Sequence, residues 1–199
     1  MVRSHEDMMV QCQRGDIRAF ELLVETYRSR VFNFIYRMVG RETGTAEDLL
    51  QEVFMKAYEA REYYEPRARF ATWLFSIARN HSLNFLKSRR YRQGRKTVSL
   101  DDAGNGRLEQ ADPQGRENGG PDGSLKSRET AEMLEQAIAQ LPDAYRESFV
   151  LHAVEGFSQS EVAAILNENA STVRSNYHRA RQMLRERIGN IFAAEGGLT

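Results

Sequence analysis

The sequence predicts an all-α protein: two small helical domains joined by a flexible linker. Three observations carry this expectation. Apolar residues recur at helical spacing through most of the 199 residues, and strand-like alternation is nearly absent. Residues 94–124 break that pattern; they are glycine-rich and polar, include Pro113 and Pro121, and hold few large apolar side chains. Residues 158–187 read as two short helices around a tight turn, the second of them basic.

The N-terminal domain is expected over 1–93. Phe20, Leu23, Val24, Tyr27, Val31, Phe34, Ile35 and Met38 form a helical stripe that ends at Gly40. A second helix is expected from about Thr45 to about Arg61, with Ala46, Leu49, Leu50, Val53, Phe54, Ala57 and Tyr58 as its apolar stripe. Its other side carries Asp48, Gln51, Glu52, Met55 and Glu59. Two readings of that side stay open, a solvated acidic face or a docking face for a basic partner protein. A third helix is expected from about Phe70 to the basic run around Arg90.

Around that third helix, aromatic and basic residues are interleaved. Tyr63, Tyr64, Phe70, Trp73, Phe75, Phe85 and Tyr91 alternate with Arg67, Arg69, Arg79, Lys87, Arg89, Arg90 and Arg92, with Asn80, His81 and Asn84 among them. Rings that stack on bases beside cations that follow phosphates suit unpaired DNA. Most of the large rings, Trp73, Phe75 and Phe85 included, are equally suited to a core. The exposed part is then the loop 61–70, the polar side around Arg79, Asn80 and Asn84, and the terminal basic cluster.

The segment 94–124 buries too little surface to offset its ordering entropy and reads as a flexible linker. Taking 97–124 as the tether, its full extension is about 90 Å, the length of roughly 27 base pairs. A relaxed coil of that length would span nearer to ~30 Å. Such a tether keeps both domains on one DNA molecule but does not set their separation. A third body has to do that.

The C-terminal domain is expected over 125–199. A helix from about Leu125 breaks at Leu141–Pro142, because the residue before proline is pushed out of helical geometry. Helix resumes through Val154 and turns at Gly156. Ser158 and Glu161 then have capping-box spacing. Ala163 is small enough for a second helix to cross close by, and Asn167 tolerates the left-handed conformation a tight turn requires. Asn169 is a good N-cap for the next helix, whose Val173, Tyr177, Ala180 and Leu184 make one apolar face. Opposite them stand Ser171, Arg174, Ser175, His178 and Gln182. Apolar behind and hydrogen-bonding in front is the requirement for a helix that reads base edges, although a plain hairpin with a solvated basic face has the same pattern. The tail from Ile188 to Thr199 is expected to fray.

Lys+Arg and Asp+Glu both number 28, so total charge says nothing about nucleic acid. The distribution is more useful: residues 1–96 hold 18 basic and 12 acidic residues, and 125–199 hold 8 and 10. The lone Cys12 excludes an internal disulfide or a multi-cysteine metal site and reads as a small buried hydrophobe. There is no signal peptide and no apolar run long enough to span a bilayer, so a cytoplasmic protein without membrane insertion is expected.

Three ordered segments resemble the bacterial sigma-70 family. They are DLLQEVF (Asp48–Phe54), FATWLFSIARN (Phe70–Asn80), and LPDAYRESFVLHAVEGFSQSEVAAIL with STVRSNYHRARQMLRERI (Leu141–Ile188). With two domains and a short linker, the chain looks like the extracytoplasmic-function (ECF) subfamily. The resemblance implies core RNA polymerase as partner, through the clamp helices of the largest subunit and the flap of the second-largest. It also implies promoter DNA and, in many members, an anti-sigma factor. Asp48, Leu49, Gln51, Glu52 and Met55 match the polymerase-docking helix. Tyr63, Tyr64, Arg67, Arg69 and Phe70 match the loop that captures a base of the −10 element. Arg79, Asn80, Asn84, Lys87, Arg89 and Arg90 match the helix along the melting duplex. Ser171, Thr172, Arg174, Ser175, His178, Arg179 and Arg181 match the reader of the −35 element. Core polymerase is then the body that sets the spacing.

The chain departs from the family pattern at its C-terminal turn. Asn167 and Glu168 stand where glycine and a branched apolar residue are usual. Asn176 replaces a frequent basic residue, and Tyr177 a usual aliphatic one. These changes point to an unusual −35 sequence. The resemblance implies no catalysis, cofactor or metal. Two rivals carry different expectations: a dimeric helix-turn-helix regulator would bind an isolated palindrome without polymerase. A nucleic-acid enzyme would need a site such as Asp48 with Glu52 or His81 with Arg79, and neither pairing makes a convincing metal or nucleophile constellation.

Overall fold

The computed structural model describes residues 3–96 and 121–195; it contains eight α-helices and, among the described residues, no strand. They are α1 (His5–Gln13), α2 (Ile17–Met38), α3 (Thr43–Glu59), α4 (Phe70–Lys96), α5 (Pro121–Ala139), α6 (Asp143–Phe149), α7 (Gln159–Leu166) and α8 (Ala170–Glu195). A 3-10 turn, Ala60–Tyr63, follows α3, and one π-helical turn, Val150–Val154, continues α6. The central part of the linker lies outside the described residues.

Helix ends follow local chemistry. Ser4 caps α1 through a capping box with Asp7, and Asp16 caps α2 by accepting from Ala19 N at 3.3 Å. Gly40 (φ 82°) and Arg41 (φ 68°) turn the chain into α3. That helix starts two residues before the expected Thr45, because the Glu42 carboxylate accepts from the Thr45 hydroxyl at 3.1 Å and gathers the first turn. Where the tail Ile188–Thr199 is expected to fray, α8 continues to Glu195, and residues 196–199 lie outside the described residues.

In the N-terminal domain α2, α3 and α4 pack with their expected stripes inward, Phe34 and Phe75 meeting edge to face at 5.4 Å. Cys12 is buried, as its composition suggested. In the C-terminal domain Ile138, Leu141, Leu151, Val162, Ile165, Val173, Ala180 and Leu184 close the core.

The two domains are in contact, which the sequence did not lead one to expect. Helix α4 lies against α7, and Phe75 meets Phe157 edge to face at 5.0 Å. Buried Arg146 donates to the carbonyls of Arg37 and Met38, both at 3.3 Å. Arginines of the N-terminal domain face carboxylates of the other: Arg30–Glu155, Arg37–Glu135, Arg69–Glu161, Arg79–Glu147 and Arg90–Asp143. Linker composition bounds reach, whereas docking depends on complementary surfaces that no local pattern displays.

Candidate nucleic-acid interface

The C-terminal helix pair is built as its residues require. Ser158 accepts from Glu161 N, the Glu161 carboxylate accepts from Ser158 N at 2.8 Å, and α7 begins. Burial pushes the Glu161 carboxyl up, but hydrogen bonds from Ser158 and Arg69 outweigh it and hold the group below its ordinary value. Asn167 takes the left-handed conformation (φ 52°, ψ 46°), and Glu168 N donates back to Ala163 O at 3.0 Å. Glu168 itself is exposed. Asn169 Oδ1 then accepts from Thr172 N at 2.8 Å and starts α8.

Val173, Ala180 and Leu184 are buried beneath α8. Tyr177 is half-buried against His152, edge to face at 4.6 Å, and stacks on Phe149. Outward stand Ser171, Arg174, Ser175, His178, Arg179, Arg181 and Gln182, several of which line a shallow open groove along the helix. Two predicted contacts are differently occupied. The hydroxyls of Ser171 and Thr172 both donate to Asn169 Oδ1, at 2.5 and 3.0 Å, so they first serve the cap.

In the N-terminal domain Asp48, Gln51, Glu52 and Met55 share the outer face of α3, with Met55 62% exposed. Leu49 does not join them: it is 4% exposed and belongs to the core. The apolar stripe already contained it, and one side chain cannot face both ways. His81 Nε2 of α4 pairs with the Glu52 carboxylate and links the two helices.

The loop before α4 separates its aromatics sharply. Tyr63 is 85% exposed, while Phe70 is fully buried and Tyr64 nearly so. Phe70 meets Tyr27 edge to face at 5.3 Å, and its N–H donates to Glu6 Oε1 at 2.8 Å. The Tyr64 hydroxyl is pushed up to about 12 by burial. Tyr64 and Phe70, expected among the base-capturing residues, are therefore core side chains that shape the loop. Gln13 holds the loop from below, its Nε2 donating to Arg61 O at 2.7 Å and Tyr64 O at 2.8 Å. Neither Gln13 nor Glu6 had a local sequence signal, because their partners lie some fifty residues or more away.

Asn80, Asn84, Lys87 and Arg90 are exposed along α4, and Arg67 is exposed in the loop beside Glu65. Arg89 is half-buried and paired with Glu42. Arg79 gives Nε and Nη2 to Glu147 Oε2, each at 3.2 Å. Burial pushes the Glu147 carboxyl up, with Arg79 opposing it. Glu155 is raised by burial in the same way, opposed by Arg30. Among the described residues no cluster of histidine, cysteine or carboxylate side chains could hold a metal.

Known proteins resemble this chain in sequence and in fold. The sigma-70 region 2 model matches residues 23–92, and the sigma-70 region 4 model matches residues 131–184. The ECF RNA polymerase sigma-E factor of Escherichia coli K12 is 32% identical over 188 residues, covering 91% of this chain and 92% of that protein. The RNA polymerase sigma-H factor of Pseudomonas aeruginosa is 32% identical over 179 residues, covering 90% and 91%. Two solved structures share the fold. CnrH in complex with the cytosolic domain of CnrY has a TM-score of 0.65 at 23% identity, covering 94% of this chain and 99% of that one. The sigma factor RpoE with the anti-sigma factor NepR, from Bartonella quintana, has a TM-score of 0.67 at 22% identity, covering 85% and 96%. With both regions matched in order and relatives aligned along nearly their whole length, the chain belongs to the sigma-70 family as an ECF RNA polymerase sigma factor.

Proposed function

We propose that this chain binds core RNA polymerase and directs promoter-specific initiation from −35 and −10 elements, without catalysis of its own. The observation that carries the reading is α8: its apolar side is buried, while Arg174, Ser175, His178 and Arg179 stand on an exposed face. A helix so mounted can enter a major groove, and its cations add sequence-independent attraction to phosphate.

The acidic outer face of α3, with Asp48, Gln51, Glu52 and Met55, is the docking surface for the clamp helices of the largest polymerase subunit. The flap of the second-largest subunit holds the C-terminal domain. Tyr63, Arg67 and Arg69 capture and steady a base of the −10 element, in a loop whose shape Tyr64 and Phe70 set from inside. Asn80, Asn84, Lys87 and Arg90 follow the opened strand. Trapping a flipped base offsets an unstacking cost of a few kcal/mol. Arg69, Arg79 and Arg90 are paired with carboxylates of the C-terminal domain, so their use on DNA requires those pairs to part. An anti-sigma factor, as NepR is to RpoE, fits the same surfaces. Among the described residues no helix is long and apolar enough to cross a membrane. Work on promoter DNA with core polymerase is work in the cytoplasm.

Run-off transcription with purified core polymerase over a randomised promoter library tests this. Promoter-specific transcripts that need both polymerase and this chain are expected. Selective binding to an isolated palindrome, with no response to polymerase, would instead identify a conventional helix-turn-helix regulator.

A further inference from the structure

Gln159 opens α7, one residue past the Ser158 cap, and none of the assignments above uses it. Its Oε1 accepts a hydrogen bond from Arg174 Nε at 3.1 Å, across fifteen residues of chain. The turn at Asn167 makes this possible by folding the start of α7 beside the first turns of α8. Arg174 is exposed and, among the described residues, forms no ion pair. The polar neighbours Ser171 and Thr172 are turned to Asn169 and do not hold it. Gln159 is therefore the group that orients this guanidinium.

The chemistry of arginine gives that contact a consequence. The guanidinium is a rigid planar fork of five donors, and it reads guanine by two parallel bonds to O6 and N7. It can approach end-on, with its two terminal nitrogens, or side-on, with Nε and one of them. A glutamine oxygen on Nε removes the side-on pair and leaves the end-on pair. It also cuts the number of rotamers that must be frozen when DNA binds.

Resting on the reading of α8 as the −35 reader, we propose that Gln159 is a positioning residue for specificity. It holds the Arg174 fork end-on to the groove and sharpens discrimination at the one base pair that Arg174 reads.

The test uses holoenzyme reconstituted with core polymerase and competitive run-off transcription on promoters carrying every single-base change in the −35 element. Wild type is compared with Gln159→Ala, Gln159→Glu, Arg174→Ala and the double variant Gln159→Ala/Arg174→Ala. Gln159→Ala is expected to lower the preference at one base pair by about 3- to 10-fold, a part of the roughly 5- to 150-fold that one whole bidentate contact supplies, and to leave binding to promoterless duplex unchanged. Arg174→Ala should lower preference at that same base pair, and the double variant should match Arg174→Ala alone. Gln159→Glu keeps the acceptor, so it should retain the preference while weakening binding to all promoters evenly. An additive double variant, or an even loss across all sequences for Gln159→Ala, would overturn the positioning role. If Arg174→Ala changed preference nowhere, the reading of α8 would fall with it; if only Gln159→Ala were silent, that reading would stand and this inference would not.

Discussion

Arg79 of α4 and Glu147 of α6 meet across the junction of the two domains, both Nε and Nη2 of the guanidinium reaching one carboxylate oxygen at 3.2 Å. Both side chains are largely withdrawn from water, at 19% and 5% exposure. The pair is one of several arginine–carboxylate contacts between the domains, and the guanidinium of another, Arg30, lies over the Phe75 and Phe157 rings.

Removing Arg79 leaves the Glu147 charge buried without its counterion. Arg79→Ala is expected to cost about 3 kcal/mol, and Arg79→Ala/Glu147→Leu to recover most of that, since breaking a buried pair costs more than replacing it with apolar groups. Urea unfolding of the three proteins measures this. A loss below ~1 kcal/mol for Arg79→Ala would show that the junction opens and rehydrates Glu147.

Glu147 and Glu155 are both raised above the ordinary carboxyl value of 4.5 by burial. As pH rises past that value their counterparts in the unfolded chain ionise first, so stability falls until the folded carboxyls ionise too, then levels off. Glu6 and Glu161 are held below it and act in the opposite sense, their contribution being lost as pH falls through their lowered values. Maximum stability is therefore expected in mild acid rather than at neutrality. Unfolding free energies measured from pH 4 to 8 check this, and Glu147→Gln should flatten the decline on the alkaline side.

Tyr63 and Phe70 bound the same loop and should fail in different ways. Phe70→Ala opens a cavity under Tyr27 and Tyr64 and is expected to cost about 3–5 kcal/mol of stability. Tyr63→Ala removes an exposed ring and should change stability by less than ~0.5 kcal/mol. Its loss should appear in promoter opening, read by permanganate reactivity of unpaired thymines with holoenzyme. Equal opening by wild type and Tyr63→Ala would remove Tyr63 from the base-capturing role.

Asn167 holds a positive φ between α7 and α8. Asn167→Ala should destabilise the protein by about 1 kcal/mol, because alanine meets the left-handed strain without a side-chain amide to relieve it. Asn167→Gly should be neutral or slightly stabilising. Thermal unfolding distinguishes the two, and an Ala variant as stable as wild type would show that the turn tolerates a different backbone path.

Much was written locally. The stripe Leu23–Met38, the Ser158–Glu161 capping box, the Asn167 turn and the buried row Val173, Ala180 and Leu184 all follow from residues within a few positions of one another. Periodicity and capping depend on near neighbours, so sequence alone determined the helices, the all-α class and the outward row of Arg174, Ser175, His178 and Arg179. Tertiary structure alone decided which loop aromatics are core: Tyr63, Tyr64 and Phe70 look alike in sequence, and only the packing of Tyr27 and the reach of Gln13 and Glu6 separate them. It also decided what the arginines face, since Arg79 with Glu147 and Arg174 with Gln159 join residues 68 and 15 positions apart. Such pairings are set by how whole helices cross, and that crossing is decided by the summed burial of both domains, which no short stretch of chain contains.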